Sequence, residues 1–315
     1  MLAHSQTTRS LMLGCAVSVL LVAPAFADNA VRNQISVYTG DNAVGYLQPL
    51  ANAFGAALNS SLGYSAYIPK ASFHISLEAP VMGVIFDDAD RTFEATPESD
   101  FTPDTPQRVP TVVGSGDAVT VTGNGGAQFS FPGGLNLNSF GLVVPQLRIG
   151  ALFGTEALVR WVAYKNSEAD IGKVNLFGIG ARHSLSQYMG PKPLLDLSIG
   201  AMWQEVNVGD NGHSGDFVST NAFSMQLQAS KRAPVGFLTF EPYAGVAWER
   251  FSADLSYDDA NGDPVDVSLD GGNDMRFTIG AGFNFLFGHL WADYNFAGTN
   301  NFSFGLALGN VGHAE

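Results

Sequence analysis

Arg276-Phe277-Thr278-Ile279-Gly280-Ala281-Gly282-Phe283-Asn284-Phe285-Leu286-Phe287 decides the fold. Phe277, Ile279, Ala281, Phe283, Phe285 and Phe287 are apolar at every second position, and the residues between them are small or polar apart from Leu286. Successive side chains of a β-strand point to opposite faces, so this strand has one greasy face and one thin, wet face. A sandwich core accepts such a strand. A chain that repeats the pattern behind an export signal fits a membrane barrel better, with lipid outside and a polar lumen.

Residues 1–27 supply that signal. Arg9 is the basic n-region, Leu11 to Val22 the apolar h-region, and Ala25-Phe26-Ala27 an A-x-A cleavage site before Asp28. A lipoprotein signal at Met12-Leu13-Gly14-Cys15 fits less well, because the apolar run continues past Cys15. No later stretch approaches the roughly 18 apolar residues of a spanning helix. Cys15 is the single cysteine, so a chain cleaved after Ala27 has no disulfide, thiol nucleophile or cysteine-bound metal. Cleavage removes Arg9 and no acid, leaving 14 Lys+Arg against 29 Asp+Glu, a net charge of −15. That balance argues against nucleic acid as a partner, since phosphate binding needs a basic face.

Residues 28–69 are read as an N-terminal plug or periplasmic segment. Leu47, Leu50, Ala51, Phe54 and Leu58 recur at helical spacing within Tyr46 to Asn59, and Pro49 fits the helix's first turn. The barrel is assigned to residues 70–310. Its first strand runs from about Lys70 to Phe86, with Phe73, Ile75, Leu77 and Val81 opposite Ser72, His74, Ser76 and Glu78. Nine more strands are legible after Leu142. Between them, 87–141 is hard to read, with short strands near 109–113, 118–122 and 127–131. The expected fold is all-β: an antiparallel transmembrane β-barrel of about 12 strands (10–14), capped or plugged by a short helix. Short connections (Phe153-Gly154-Thr155, Lys231 to Val235, Gly288) alternate with long acidic ones (Asn207 to Asp216, Asp258 to Asn273), as periplasmic turns and external loops do.

With the apolar faces toward lipid, the lumen receives Glu78, Arg148, Arg160, Arg182, Asp196, Glu241, Glu249, Arg276 and Asp293. They are read either as a charged constriction that selects solutes or as a salt-bridge ladder filling a closed barrel. Asp259-Ala260-Asn261-Gly262-Asp263 has the D-x-N-x-D spacing of a calcium loop. Pro264 and the missing downstream Glu break the motif, and the same residues make ordinary turns. No other metal or cofactor is expected. Arg182-His183-Ser184-Leu185-Ser186 raises lipid hydrolysis. However, His183 and Ser184 point to opposite faces, and Ser186 is three residues away.

Tyr46-Leu47-Gln48-Pro49, Phe131-Pro132-Gly133-Gly134, Pro145-Gln146-Leu147-Arg148-Ile149-Gly150 and Phe177-Gly178-Ile179-Gly180-Ala181-Arg182-His183-Ser184 resemble an uncharacterised family of bacterial outer-membrane β-barrels. The resemblance covers nearly all of the chain after residue 27. It implies location and architecture without an activity. The helix before the first strand is also similar in layout to fatty-acid-transporter barrels. Phe302-Ser303-Phe304-Gly305-Leu306-Ala307-Leu308 resembles the last-strand signal read by barrel-insertion machinery, although six further residues follow Gly309. The reading is a non-enzymatic outer-membrane channel or transporter for a small or hydrophobic solute. Its partners are outer-membrane lipid and the insertion machinery. The alternatives are a closed structural or surface-interaction barrel and, more remotely, a lipid hydrolase.

Overall fold

The computed structural model describes residues 34–98, 100–165, 171–190, 193–210 and 216–310. The signal peptide expected at 1–27 lies outside them. Among the described residues, seventeen strands follow one long helix, α1 (Gly40–Asn59). They are β1 (His74–Ile85), β2 (Thr92–Ala95), β3 (Gln107–Pro110), β4 (Val119–Thr122), β5 (Gln128–Phe131), β6 (Ser139–Val143), β7 (Gln146–Gly150), β8 (Thr155–Lys165) and β9 (Ile171–Ser184). Then come β10 (Asp196–Asp210), β11 (Asp216–Ser230), β12 (Ala233–Val235), β13 (Leu238–Asp258), β14 (Pro264–Asp270), β15 (Met275–Phe285), β16 (Gly288–Phe296) and β17 (Asn301–Asn310).

Ten of these close a barrel. Antiparallel ladders run β1–β7–β8–β9–β10–β11, β11 pairs β13, and β13–β15–β16–β17 returns to β1. The barrel therefore has ten strands where twelve were favoured, and they are the ten legible in the sequence. The short strands expected in 87–141 are real but pair only as two hairpins outside the barrel, β2–β3 and β4–β5. At four residues each they cannot cross a bilayer, which takes about 9–11. β6 carries the β7 line onward along β1 in the same register, interrupted at Pro145.

The short connections at 151–154, 231–237 and 286–287 share one end of the barrel with the start of β1 and the end of β17. The 86–138 segment and the β13–β14 hairpin occupy the other. Two connections depart from the alternation: 185–195 is long at the short-turn end, and 297–300 is short at the long-loop end. At 21 residues β13 reaches roughly 70 Å, well beyond any bilayer crossing. Most of the acidic stretch expected as a loop after Asp258 is β14, which pairs with this protruding part.

Apolar side chains cover the outer surface. Phe177, Ile179, Met225, Phe277, Ile279 and Phe283 are exposed there. Trp161, Phe177, Trp203, Phe223, Trp248, Phe277 and Phe296 form an aromatic girdle toward the long-loop side, with contacts such as Phe177–Trp203 at 6.4 Å and Phe223–Trp248 at 5.8 Å. Such girdles mark the boundary of the lipid band. Ile179 lies between the girdle and the short-turn end. Ile179→Arg is expected to cost about 2–4 kcal/mol of folding stability in lipid, measured as a lowered unfolding midpoint in a denaturant titration of the refolded barrel.

Candidate functional site

The helix lies within the long-loop half of the barrel. It packs on β1, β6, β11, β13 and β14. It is longer than the sequence indicated, beginning at Gly40, so Pro49 falls in its middle rather than its first turn. A mid-helix proline removes one N–H and disturbs the preceding turn. Here the Tyr46 carbonyl accepts the Val112 N–H at 3.0 Å from the segment covering the barrel mouth. Tyr46 also donates its hydroxyl to the Gly133 carbonyl at 3.0 Å. Gly133 and Gly134 sit where a Cβ would lie 2.2 Å from the Gly116 and Thr111 carbonyl oxygens, so the Phe131-Pro132-Gly133-Gly134 turn needs both glycines. Leu47, Leu50 and Leu58 are buried and Phe54 half-buried.

Below Asn59 the chain continues through the lumen to β1, and the barrel wall reaches in to hold it. Arg160, on β8, is fully buried. Its Nε donates to Gln146 Oε1 at 2.9 Å, and Nη1 to the Leu58 carbonyl and Gln204 Oε1, each at 2.8 Å. Nη2 donates to the Ser60 and Ser61 carbonyls at 2.9 and 3.2 Å. All five guanidinium N–H groups therefore meet neutral oxygens. A helix ends in carbonyls without intrahelical partners and a partial negative charge. The last turn of α1 has no basic residue, so Arg160 supplies the cation from the wall.

The short-turn side of this layer is ionic. Arg148 Nε donates to Glu78 Oε1 at 2.5 Å, and its Nη1 to Glu156. Arg182 shares the same Glu156 oxygen at 2.6 Å and reaches the Ser65 carbonyl. His74 Nε2 lies 3.2 Å from Glu156 Oε2. Glu241 accepts from Ser65 and Ser230 hydroxyls, each at 2.6 Å. Tyr64 of the descending segment stacks on Trp291 at 4.7 Å, beneath the Arg148 guanidinium at 4.8 Å. Tyr64, His74, Arg148, Glu156, Arg182 and Glu241 border a polar chamber of about 390 Å³, which Tyr67, Arg232 and Asn284 also line.

The long-loop side is its opposite. Inward residues there are aliphatic, and Leu47, Ala51 and Phe54 of the helix face Val162, Leu176, Val206, Val218 and Leu255 across an apolar cavity of about 70 Å³.

Of the nine charged residues expected inside, eight are buried, and Asp196 lies partly exposed at the rim, 3.2 Å from Arg232. Arg276 pairs with Glu249 at 2.8 Å, while Asp293 accepts from Tyr243 at 2.9 Å and from Ser303 at 2.5 Å. Sequence reading missed Glu156, which joins two arginines and His74. It sits in phase with Arg160 at the start of β8, and extending the alternation by two residues would have found it. Gln146, Gln204 and Gln228 face the lumen in phase with the inward charges, but nothing local marks Gln204 and Gln228 as ligands of the plug, or Gln146 as the bridge between Arg160 and Glu78. The calcium candidate is a turn: Asp259 Oδ1 accepts the Asn261 and Asp263 backbone N–H groups at 2.8 and 2.9 Å. These bonds hold its carboxyl below the usual range. Among the described residues, no three His, Cys, Asp or Glu side chains cluster as metal ligands. His183 bonds Thr155 and Tyr188 at 2.7 and 3.0 Å, and no serine hydroxyl is among its partners.

Fold and lumen together define an outer-membrane-type β-barrel whose interior is occupied by its own N-terminal segment. The chain belongs to the Family of unknown function (DUF6588), whose model matches residues 7–310. No curated protein matches it in sequence. Among solved structures, a loop-deletion mutant of the Vibrio cholerae outer membrane protein OmpT is similar at 12% identity and a TM-score of 0.27, covering 76% of this chain and 98% of that one. The outer membrane protease OmpT of Escherichia coli is similar at 8% identity and TM-score 0.31, covering 80% and 99%. The Ralstonia pickettii toluene transporter TbuX is similar at 10% identity and TM-score 0.28, covering 78% and 90%. These likenesses concern barrel architecture alone.

Arg160→Met keeps length but strands the Ser60 and Ser61 carbonyls, while the Leu58 carbonyl keeps only its bond from Gln204 Nε2 at 2.8 Å. Each buried neutral acceptor left unmet costs about 1–3 kcal/mol. The 40–69 segment should then become cleavable by external protease while the barrel still migrates as a folded, heat-modifiable band. Calcium titration should leave both the melting temperature and the cleavage of the 258–264 hairpin unchanged, since Asp259 already serves backbone amides.

Proposed function

We propose that this chain is a transporter of the Gram-negative outer membrane, exported through cleavage of residues 1–27 and inserted by the barrel machinery through its last strand. Its long loops face outside. It admits a small hydrophobic solute into the outer half of the lumen, with residues 40–69 as the plug. The inner surface of that half carries the reading: Val162, Leu176, Val206, Val218 and Leu255 present hydrocarbon where a water-filled pore presents polar groups. Magnitude sets the mode of action. An apolar cavity of about 150 Å³ holds a benzene, and about 70 Å³ does not. A solute therefore enters only as the helix face bearing Leu47 and Phe54 gives way.

One observation favours a second reading, a permanently closed barrel. The plug's descending carbonyls are held by wall side chains at Leu58, Ser60, Ser61, Leu62, Gly63 and Ser65.

The two readings separate in nanodiscs and planar bilayers. The intact chain is expected to show saturable energy transfer from its tryptophans to phenylnaphthylamine, abolished by Val206→Asp, and no stepwise current. Deleting Asp41–Ser65 should open stepwise currents. Transfer no greater than in empty discs removes the hydrophobic-solute reading, and silence after the deletion removes the plug.

A further inference from the structure

The barrel wall has one incomplete seam, and it borders the apolar cavity. β7 pairs with β8 from Gln146↔Arg160 to Gly150↔Glu156. Continued upward, that register would set Pro145 against Trp161 and Val143 against Ala163. No such pairing forms: among the described residues β6 pairs only with β1, and β8 beyond Arg160 only with β9.

Pro145 gives the cause. The Val144 N–H points to β1, bonding the Pro80 carbonyl at 3.4 Å. Backbone groups alternate sides along a strand, so residue 145 is the one whose N–H should reach β8. Proline has none. The ladder stops there, and the two strand edges separate above it.

Three features make the gap more than a frayed edge. The cavity is lined on this side by Leu142, Val143, Val144 and Val162. Val143, an outward position by strand alternation, is among these lining residues, so the cavity abuts the wall at this seam. Trp161, in the aromatic girdle, stands beside it, and the flanking outward residues Val81, Val143 and Ala163 are apolar. The seam thus lies at the upper edge of the lipid band. Finally, the axial route is covered: Val109, Val112, Val113 and Phe131 of the 86–138 segment are buried in one cluster with Tyr38, Tyr46 and Leu47.

We propose that the β6–β8 seam is a lateral port through which a hydrophobic solute exchanges between the apolar cavity and the outer leaflet. This rests on the hydrophobic-solute reading above. Behind the seam stands the helix face, with Phe54 edge-on to Phe140 at 5.9 Å. Movement of that face is what admits the solute from the side. The recognising chemistry is hydrocarbon alone, since the lining between the seam and Phe251 offers Thr220 as its one polar side chain.

The full chain in nanodiscs carrying V143C and A163C tests it. The rate of saturable energy transfer to phenylnaphthylamine is followed before and after oxidation, and A181C/A201C, facing each other on the fully paired β9–β10 ladder, serves as control. Oxidation of the seam pair is expected to abolish transfer, reductant to restore it, and the control pair to transfer equally in both states. Equal rates for the oxidised and reduced seam pair overturn the port while leaving the solute reading intact. Absence of saturable transfer in the unmodified chain overturns both. Should oxidant leave the seam thiols free, Pro145→Val supplies the missing donor, and an uptake rate unchanged by it likewise overturns the port.

Discussion

Everything inside this barrel is arranged around the five hydrogen bonds of Arg160. A helix ending in the middle of a membrane barrel presents carbonyls to a space with little water, where each unmet acceptor costs about 1–3 kcal/mol. A lone buried guanidinium is also unstable in such a place. Each solves the other's problem. The Leu58, Ser60 and Ser61 carbonyls and two glutamine side chains satisfy the cation, and the cation terminates the helix. Ser61 adopts a left-handed conformation, φ +57°, in the turn that brings these carbonyls together.

This layer divides the lumen. On its short-turn side the descending segment is threaded among arginines and carboxylates, and glycines make the room. A Cβ on Gly63 would lie 2.6 Å from Arg182 Cζ, and one on Gly200 2.6 Å from Arg182 Cγ. On the long-loop side the wall around the cavity is aliphatic, and the helix is held by apolar contact there and by neutral hydrogen bonds at Tyr46, Gln48, Asn52 and Ala56 elsewhere. The wall is thus amphipathic along its length as well as across its thickness. A charge-lined porin has no use for the first property. The transporter proposed above, which must keep water from following a hydrocarbon, does.

The ten spanning strands were legible because lipid on one side and a packed lumen on the other impose strict alternation, as in β15 with Phe277, Ile279 and Phe283. The inward arginines were legible for the same reason, since a charge out of phase would face hydrocarbon. Three things were not. The strands of 87–141 were read close to where they lie, but not that they pair as hairpins outside the barrel, where alternation is not enforced, so their count inflated the expected barrel. The start of α1 was hidden by Pro49, because a proline marks a first turn more often than a middle. The pairing of Arg160 with the plug is a contact over about a hundred residues, between a strand residue and backbone carbonyls, and carbonyls carry no sequence signal. Short motifs noted for their resemblance prove to be architectural: Pro145-Gln146-Leu147-Arg148 holds the seam, a partner of Arg160 and one plug ligand, and Gly178-Ile179-Gly180-Ala181-Arg182 alternates lumenal space with a lumenal charge.

These constraints fix where the interior can move. The segment from Leu58 to Ser65 cannot slide without breaking bonds to Arg160, Arg148, Arg182 and Gln228 together, so displacement of the whole plug is the costliest motion available. The upper helix is different. Its hydrogen bonds link Asn42, Tyr46, Gln48 and Asn52 to the segments around it, and toward the cavity it offers the apolar side chains of Leu47, Ala51 and Phe54. Pro49 lies between Leu47 and Phe54 and has already removed one helical hydrogen bond. Bending about that proline exchanges hydrocarbon contact with the helix for hydrocarbon contact with a solute and leaves the Arg160 layer intact. On the transporter reading proposed above, that motion takes a molecule into the long-loop half while the Arg160 layer keeps the other half shut to ions, which separates hydrophobic uptake from conductance in a single fold.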